Sequence, residues 1–259
     1  MGWRDTLARW IAALVLALAC PAWAASPFEN WAAVVVAGDW HAHSGGPSEA
    51  FDNARHDVSQ ELVRMGFKPD NLRELSVRPD LYKSEHLAKS TPKAIYDALV
   101  DVTARGPEGC LVYMSSHGAP NGIVIDQSIL PPGILGSILD RTCGERPSVV
   151  VISACFSGIF VPELASGNRM ILTAARPDRT SFGCGESNKY PFFDECFLQS
   201  TPISKDFPSL ARAVQACVSA RELREGMSPP SEPQLFIGPQ IRPVLPLYMF
   251  PTPLPPARN

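Results

Sequence analysis

Two apolar runs in the chain each end in a reactive side chain. Residues 110–115 (CLVYMS) lead into Ser115-Ser116-His117-Gly118, and residues 149–153 (VVVIS) lead into Ser153-Ala154-Cys155-Phe156-Ser157-Gly158. A thiolate attacks carbonyl carbons and an imidazole manages the protons, so Cys155 and His117 suit nucleophilic catalysis if they meet. Gly118 lets backbone approach a reacting oxygen closely, and the N–H groups of Gly118 and Cys155 are candidates for an oxyanion hole. Taken singly, a cysteine after a buried strand is more often an inert packed residue, and a lone histidine a satisfied polar group. Their occurrence at two matching strand ends, with glycines nearby, is what favours chemistry. No Gly-x-Ser-x-Gly elbow occurs, which argues against an α/β serine hydrolase. His41 and His43, in Asp39-Trp40-His41-Ala42-His43, could share a metal, but that spacing in an irregular loop favours an ordinary loop role.

The surrounding elements decide whether the two groups can meet. Residues 31–38 (WAAVVVAG) read as a fully buried strand, with further strands at 72–77, 169–174 and 235–238. Helices are expected over 48–66, closed by Gly66; from Thr91-Pro92 to about 105, with proline in the first turn; over 132–141; and over 206–224. Continuous apolar strands separated by helices imply a three-layer α/β/α sandwich around a mainly parallel sheet covered on both faces. Ligands bind such sheets just beyond the carboxyl ends of the strands, where His117 and Cys155 share a crevice if their strands are neighbours. One domain is expected over 25–227. The last 32 residues hold 10 of the 26 prolines, so 228–259 should be an extended wrap or a flexible end.

Composition narrows the remaining classes. The chain has 259 residues, 45% hydrophobic and 19% charged, enough for one sizeable α/β domain. The formal charge of −3 and the lack of a basic block argue against nucleic acid as a partner. Residues 1–24 read as a signal peptide: Arg4 and Arg9, an apolar run over 11–19, then Ala22-Trp23-Ala24 for cleavage after Ala24. That run is too short to span a bilayer, so no stable membrane span is expected after cleavage, and the expected location is secreted or periplasmic. Six cysteines follow the leader: Cys110, Cys143, Cys155, Cys184, Cys196 and Cys217. Without a paired CxxC a zinc site is not indicated. If Cys155 stays reduced, at most two bridges form and one thiol is left over, and a local Cys184–Cys196 bridge is one possible pairing.

The segments Tyr113-Met-Ser-Ser-His-Gly118 and Val151-Ile-Ser-Ala-Cys-Phe-Ser-Gly158 resemble the legumain (asparaginyl endopeptidase) family, within the larger caspase and gingipain group. Asn53-Ala54-Arg55-His56-Asp57 is similar to that family's Asn-Tyr-Arg-His-x-x-Asp segment, and Thr173 to Cys184 is similar to its Thr-Ala-Ala-Asn-Pro stretch and serine loop. The resemblance covers about residues 31 to 200. It implies a dyad of His117 and Cys155, with Asn53 orienting the imidazole. It also implies a specificity pocket lined by Arg55, Ser181, Asp194 and, where the family carries glutamate, Ser153. A guanidinium and a carboxylate together could satisfy an asparagine amide. Aspartate just before the family's histidine is replaced here by Ser116, and the long carboxy-terminal prodomain is absent from this sequence. The resemblance thus implies a cysteine endopeptidase cutting peptides or proteins after Asn or Asp, with no cofactor. The alternatives are a transpeptidase using the same acyl-enzyme, or a catalytically silent peptide-binding module.

Overall fold

The computed structural model of the protein describes residues 26–85 and 87–251. The proposed leader therefore lies outside the described residues, as does the end of the proline-rich tail.

Seven strands form the central sheet: β1 (Trp31–Ala37), β2 (Leu72–Ser76), β3 (Ala88–Lys89), β4 (Gly109–Ser115), β8 (Ser148–Ser153), β9 (Arg169–Thr173) and β10 (Gln234–Ile237). Their order is β10-β9-β8-β4-β1-β2-β3, parallel except for the antiparallel β10–β9 pair at one edge. Between β4 and β8 the chain makes a small antiparallel sheet of β5 (Gly118–Ala119), β6 (Gly122–Ile125) and β7 (Ser128–Leu130), which the sequence reading did not anticipate.

The apolar runs are continuous because both faces of the sheet are covered. Alternate residues of each strand point to opposite sides. Ala33, Val35, Leu111, Tyr113, Val149 and Val151 join one core, beneath α1 (Ala50–Arg64), α5 (Phe192–Ser200) and α6 (Phe207–Glu225). Val34, Val36, Val112, Met114, Val150 and Ile152 join the other, beneath α2 (Pro92–Arg105), α3 (Pro132–Thr142) and α4 (Phe160–Leu164). The three-layer sandwich read from the sequence is the fold observed.

Local signals set the helix ends. Thr91 caps α2 by accepting from Ala94 N–H at 3.0 Å, and Pro92 supplies a preset first turn. Asp206 and Ser209 form a reciprocal capping box on α6, which closes at Gly226 with φ +69°. No described helix is long and apolar enough to cross a membrane.

Two disulfides tie outer helices to this frame. Cys110–Cys143 joins β4 to the end of α3, and Cys196–Cys217 joins α5 to α6. The possible Cys184–Cys196 pairing is therefore not the one made: Cys184 remains a free thiol alongside Cys155. The helix α5, absent from the sequence reading, is what carries Cys196 towards α6 instead. The proline-rich tail runs along the molecule as a wrap. It supplies edge strand β10, then buries Ile241, Leu245 and Phe250 in the first core.

Candidate active site

Strands β4 and β8 are adjacent, parallel, and in a register that opposes Ser115 to Ser153. The chain leaves both at the same edge, so His117 and Cys155 emerge two residues beyond a paired position. Ser116 N–H still donates to the Ser153 carbonyl at 3.0 Å, which holds the two exits side by side. The contact is tightest at Gly118, where a Cβ would stand 1.9 Å from the Cys155 carbonyl oxygen and 2.9 Å from its nitrogen. Only glycine lets these two backbones touch.

The turn after Cys155 is fixed by several short-range devices. Phe156 adopts left-handed φ +58° and ψ +10°, a cost of roughly 1 kcal/mol or more for a non-glycine residue. Its N–H donates to the Arg179 carbonyl at 2.8 Å, which stabilises that conformation. Ser157 Oγ accepts from Ala175 N–H at 3.1 Å, and Gly158 abuts Pro177 so closely that a Cβ would fall 2.5 Å from its Cδ. The sulfur is thereby aimed out of the sheet rather than into the core.

Cys155 Sγ accepts a hydrogen bond from Ser181 N–H at 3.3 Å and lies 3.6 Å from both Ser181 Oγ and the Ser181 carbonyl. The sulfur opens onto a cleft of about 320 Å³, lined by His43 and by the segment Thr180 to Gly185. Cys184 shares this cleft. Burial, with a smaller contribution from the neighbouring Cys155 charge, pushes its thiol up to about 11, so Cys184 stays protonated.

His117 is oriented from the loop after β1. Its Nε2 lies 2.9 Å from the His41 carbonyl, and its ring meets Phe51 edge-on with centroids 5.0 Å apart. A carbonyl only accepts, so Nε2 carries a proton and the neutral ring keeps Nδ1 as its basic nitrogen. The loop itself is braced by Asp39, whose Oδ1 accepts from Trp40 N–H (2.6 Å) and His41 N–H (3.0 Å) and contacts His41 Nδ1 at 2.6 Å. His41 thus acts through its backbone, a role with no side-chain signature in the sequence. His41 and His43 part ways, one in this brace and the other at the cleft.

Four expected site residues stand elsewhere or act differently. Asn53 does not reach the imidazole; its amide donates to the Lys189 carbonyl at 3.1 Å, because it lies on the outer side of α1. Arg55 does not line the cleft. It is 1% exposed, with Nε on Asp52 (3.2 Å) and Nη1 shared between Glu74 and Glu85 (2.9 Å to the latter). Those carboxylates compensate its burial and hold Nε and Nη1 away from the cleft around Cys155. Asp194 and Ser153 do not line the cleft wall either. Asp194 is fully buried and accepts hydrogen bonds from Tyr113 Oη (2.6 Å), Ser115 Oγ (3.0 Å) and Ser153 Oγ (2.6 Å). Burial outweighs those three bonds and lifts its carboxyl to about 6. Ser181 alone among the expected pocket residues lies in the cleft, against the nucleophile.

Among the described residues, His56, Glu74 and Glu85 bring ligand atoms within 4.8 Å of one another. Arg55 already pairs with both of those carboxylates, so the donor set reads as an ion-pair cluster rather than a cation site.

A mainly parallel sheet that presents imidazole and thiol at adjacent strand ends defines the caspase-like class. Caspase-1 from Spodoptera frugiperda shares this fold with a TM-score of 0.58 at 14% identity, over 82% of this chain and 88% of that one. The peptidase C13 family model matches residues 92–215, the stretch that holds both His117 and Cys155. The legumain-type recognition made from the sequence motifs is borne out there, and match and fold together support a cysteine peptidase. No curated protein matches the chain.

Proposed function

We propose that the protein is a cysteine endopeptidase that hydrolyses peptide bonds through an acyl-enzyme, with Cys155 as nucleophile and His117 as acid and base. The observation that carries this reading is the packing of the Gly118 backbone on Cys155 at the end of the Ser115–Ser153 register. Cys155 gives its proton to His117 Nδ1, and the thiolate attacks the peptide carbonyl. The oxygen gains negative charge facing the N–H groups of Gly118 and Cys155. The C–N bond then breaks as His117 returns the proton to the leaving amine. Water adds to the thioester, giving a proton to His117, and the sulfur departs as the acid is released.

A preference for asparagine or aspartate before the scissile bond rests on the legumain resemblance, with Ser181 and His43 as the polar groups of the cleft that would meet such a side chain. A leader over 1–24 would export the chain to an oxidising compartment, which suits two disulfides. Cys155→Ala should remove all peptide cleavage while leaving circular dichroism and thermal unfolding unchanged. Persistent cleavage by the folded variant, assayed on a peptide library at pH 5 and pH 7, would end this reading.

A further inference from the structure

Asp194 is the most deeply buried carboxylate near the site, and the cleft does not use it as a wall. Each of its three hydrogen-bond donors comes from the last turn of a strand that delivers a reactive group. Tyr113 and Ser115 belong to β4 and precede His117 by four and two residues. Ser153 belongs to β8 and precedes Cys155 by two. One carboxylate oxygen, Oδ2, accepts from Ser115 and Ser153 together, the same pair that faces across the two strands. The carboxylate is delivered by the first turn of α5, whose own position is fixed by Phe193 and Phe197 in the core and by the Cys196–Cys217 bridge to α6.

We propose that Asp194 is a positioning residue that bolts together the two strand ends carrying His117 and Cys155, and that it makes no contact with substrate. This rests on the peptidase reading above and adds to it a division of labour: the cleft selects, and the buried carboxylate sets the spacing of the dyad. A displacement on the order of 1 Å between reacting groups can cost about 100-fold in rate. Removing one shared acceptor beneath both exits is the change that would produce it. A hydrogen bond to a charged acceptor is also stronger than a neutral one, so a hydroxyl pair alone would hold the exits more loosely.

The test uses the full-length protein and a peptidyl-asparaginyl or peptidyl-aspartyl aminomethylcoumarin substrate. In Asp194→Ala, kcat should fall at least tenfold with KM within twofold and the preference between the two substrates unchanged. Asp194→Asn keeps one acceptor oxygen and should recover part of that loss. Alkylation of Cys155 by iodoacetamide, which needs no substrate, should slow in the same order. A raised KM at unchanged kcat, or an altered substrate preference, would place Asp194 in contact with substrate and overturn the proposal. An unchanged kcat would overturn it too. If Asp194→Ala fails to fold, Ser153→Ala and Tyr113→Phe each remove one donor; each should lower kcat severalfold at constant KM, and no loss in either refutes the bolt. Absence of any cleavage by the wild-type enzyme would sink the peptidase reading, while the order of alkylation rates would still decide the role of Asp194.

Discussion

Two buried carboxylate clusters flank the sheet, and they are built on opposite principles. Around Arg55, three carboxylates from Asp52, Glu74 and Glu85 surround one guanidinium. Around Asp194, three neutral hydroxyls surround one carboxylate with no cation among its contacts. The sequence resemblance assigns both to one specificity pocket. The structure instead gives the first the role of joining α1 to β2 and the segment before β3, and the second the role of joining the two strands that end in the dyad. A buried arginine with charged partners is held in the frame by them, whereas a carboxylate held only by hydroxyls keeps a titration near the working range of an enzyme.

Breaking the Arg55 cluster should have the largest effect on stability. Arg55→Ala leaves buried carboxylates without their cation, a loss of about 3–5 kcal/mol for a broken buried pair. Thermal unfolding should therefore shift down strongly, while the folded fraction keeps its preference between asparaginyl and aspartyl substrates. A changed preference at unchanged stability would return Arg55 to the pocket.

The Asp194 cluster should show itself in pH dependence. Its carboxyl, at about 6 in the folded protein, lies above the ordinary 3.8, so the folded state holds this proton more tightly than the unfolded chain does. Its contribution to stability is present below pH 4 and is lost as pH rises through 6, a swing of about 3 kcal/mol by linkage. Asp52 and Glu74, also raised by burial, add to the same trend from the other cluster. Comparing Asp194→Asn with wild type isolates the one group. The variant should gain stability relative to wild type between pH 4 and pH 7, measured by urea unfolding. A pH-independent difference would mean that the carboxylate does not titrate in this window.

The smallest effect is expected at Asn53. Its amide holds only the Lys189 carbonyl, so Asn53→Ala should cost about 1 kcal/mol or less and leave kcat unchanged. A large fall in kcat, read by steady-state kinetics on the folded variant, would revive its assigned role beside His117.

Much of the fold was legible because it depends on periodicity. The runs 31–38, 110–115 and 149–153 are too short and too uniformly apolar to be anything but strands covered on both faces, and Thr91-Pro92 and Gly66 mark helix ends by local chemistry. The hairpin sheet after Gly118 was missed because its strands are two to four residues long, and α5 because its apolar residues sit within a loop-like stretch. In the site, His117, Gly118 and Cys155 were legible as strand-end residues. His41 was not, since it acts through a carbonyl that every residue possesses.

The sequence by itself determined which elements exist and that an imidazole and a thiol leave two strands at like ends, because side-chain period and strand direction are local properties. Only the tertiary structure decided that β4 and β8 are neighbours, that Cys196 pairs with Cys217, and that Arg55 and Asp194 are withdrawn from the cleft. Each of those outcomes depends on what packs against a residue from far along the chain. Burial and counter-charge are set by such distant partners, and they decide whether a charged side chain meets substrate or holds the frame.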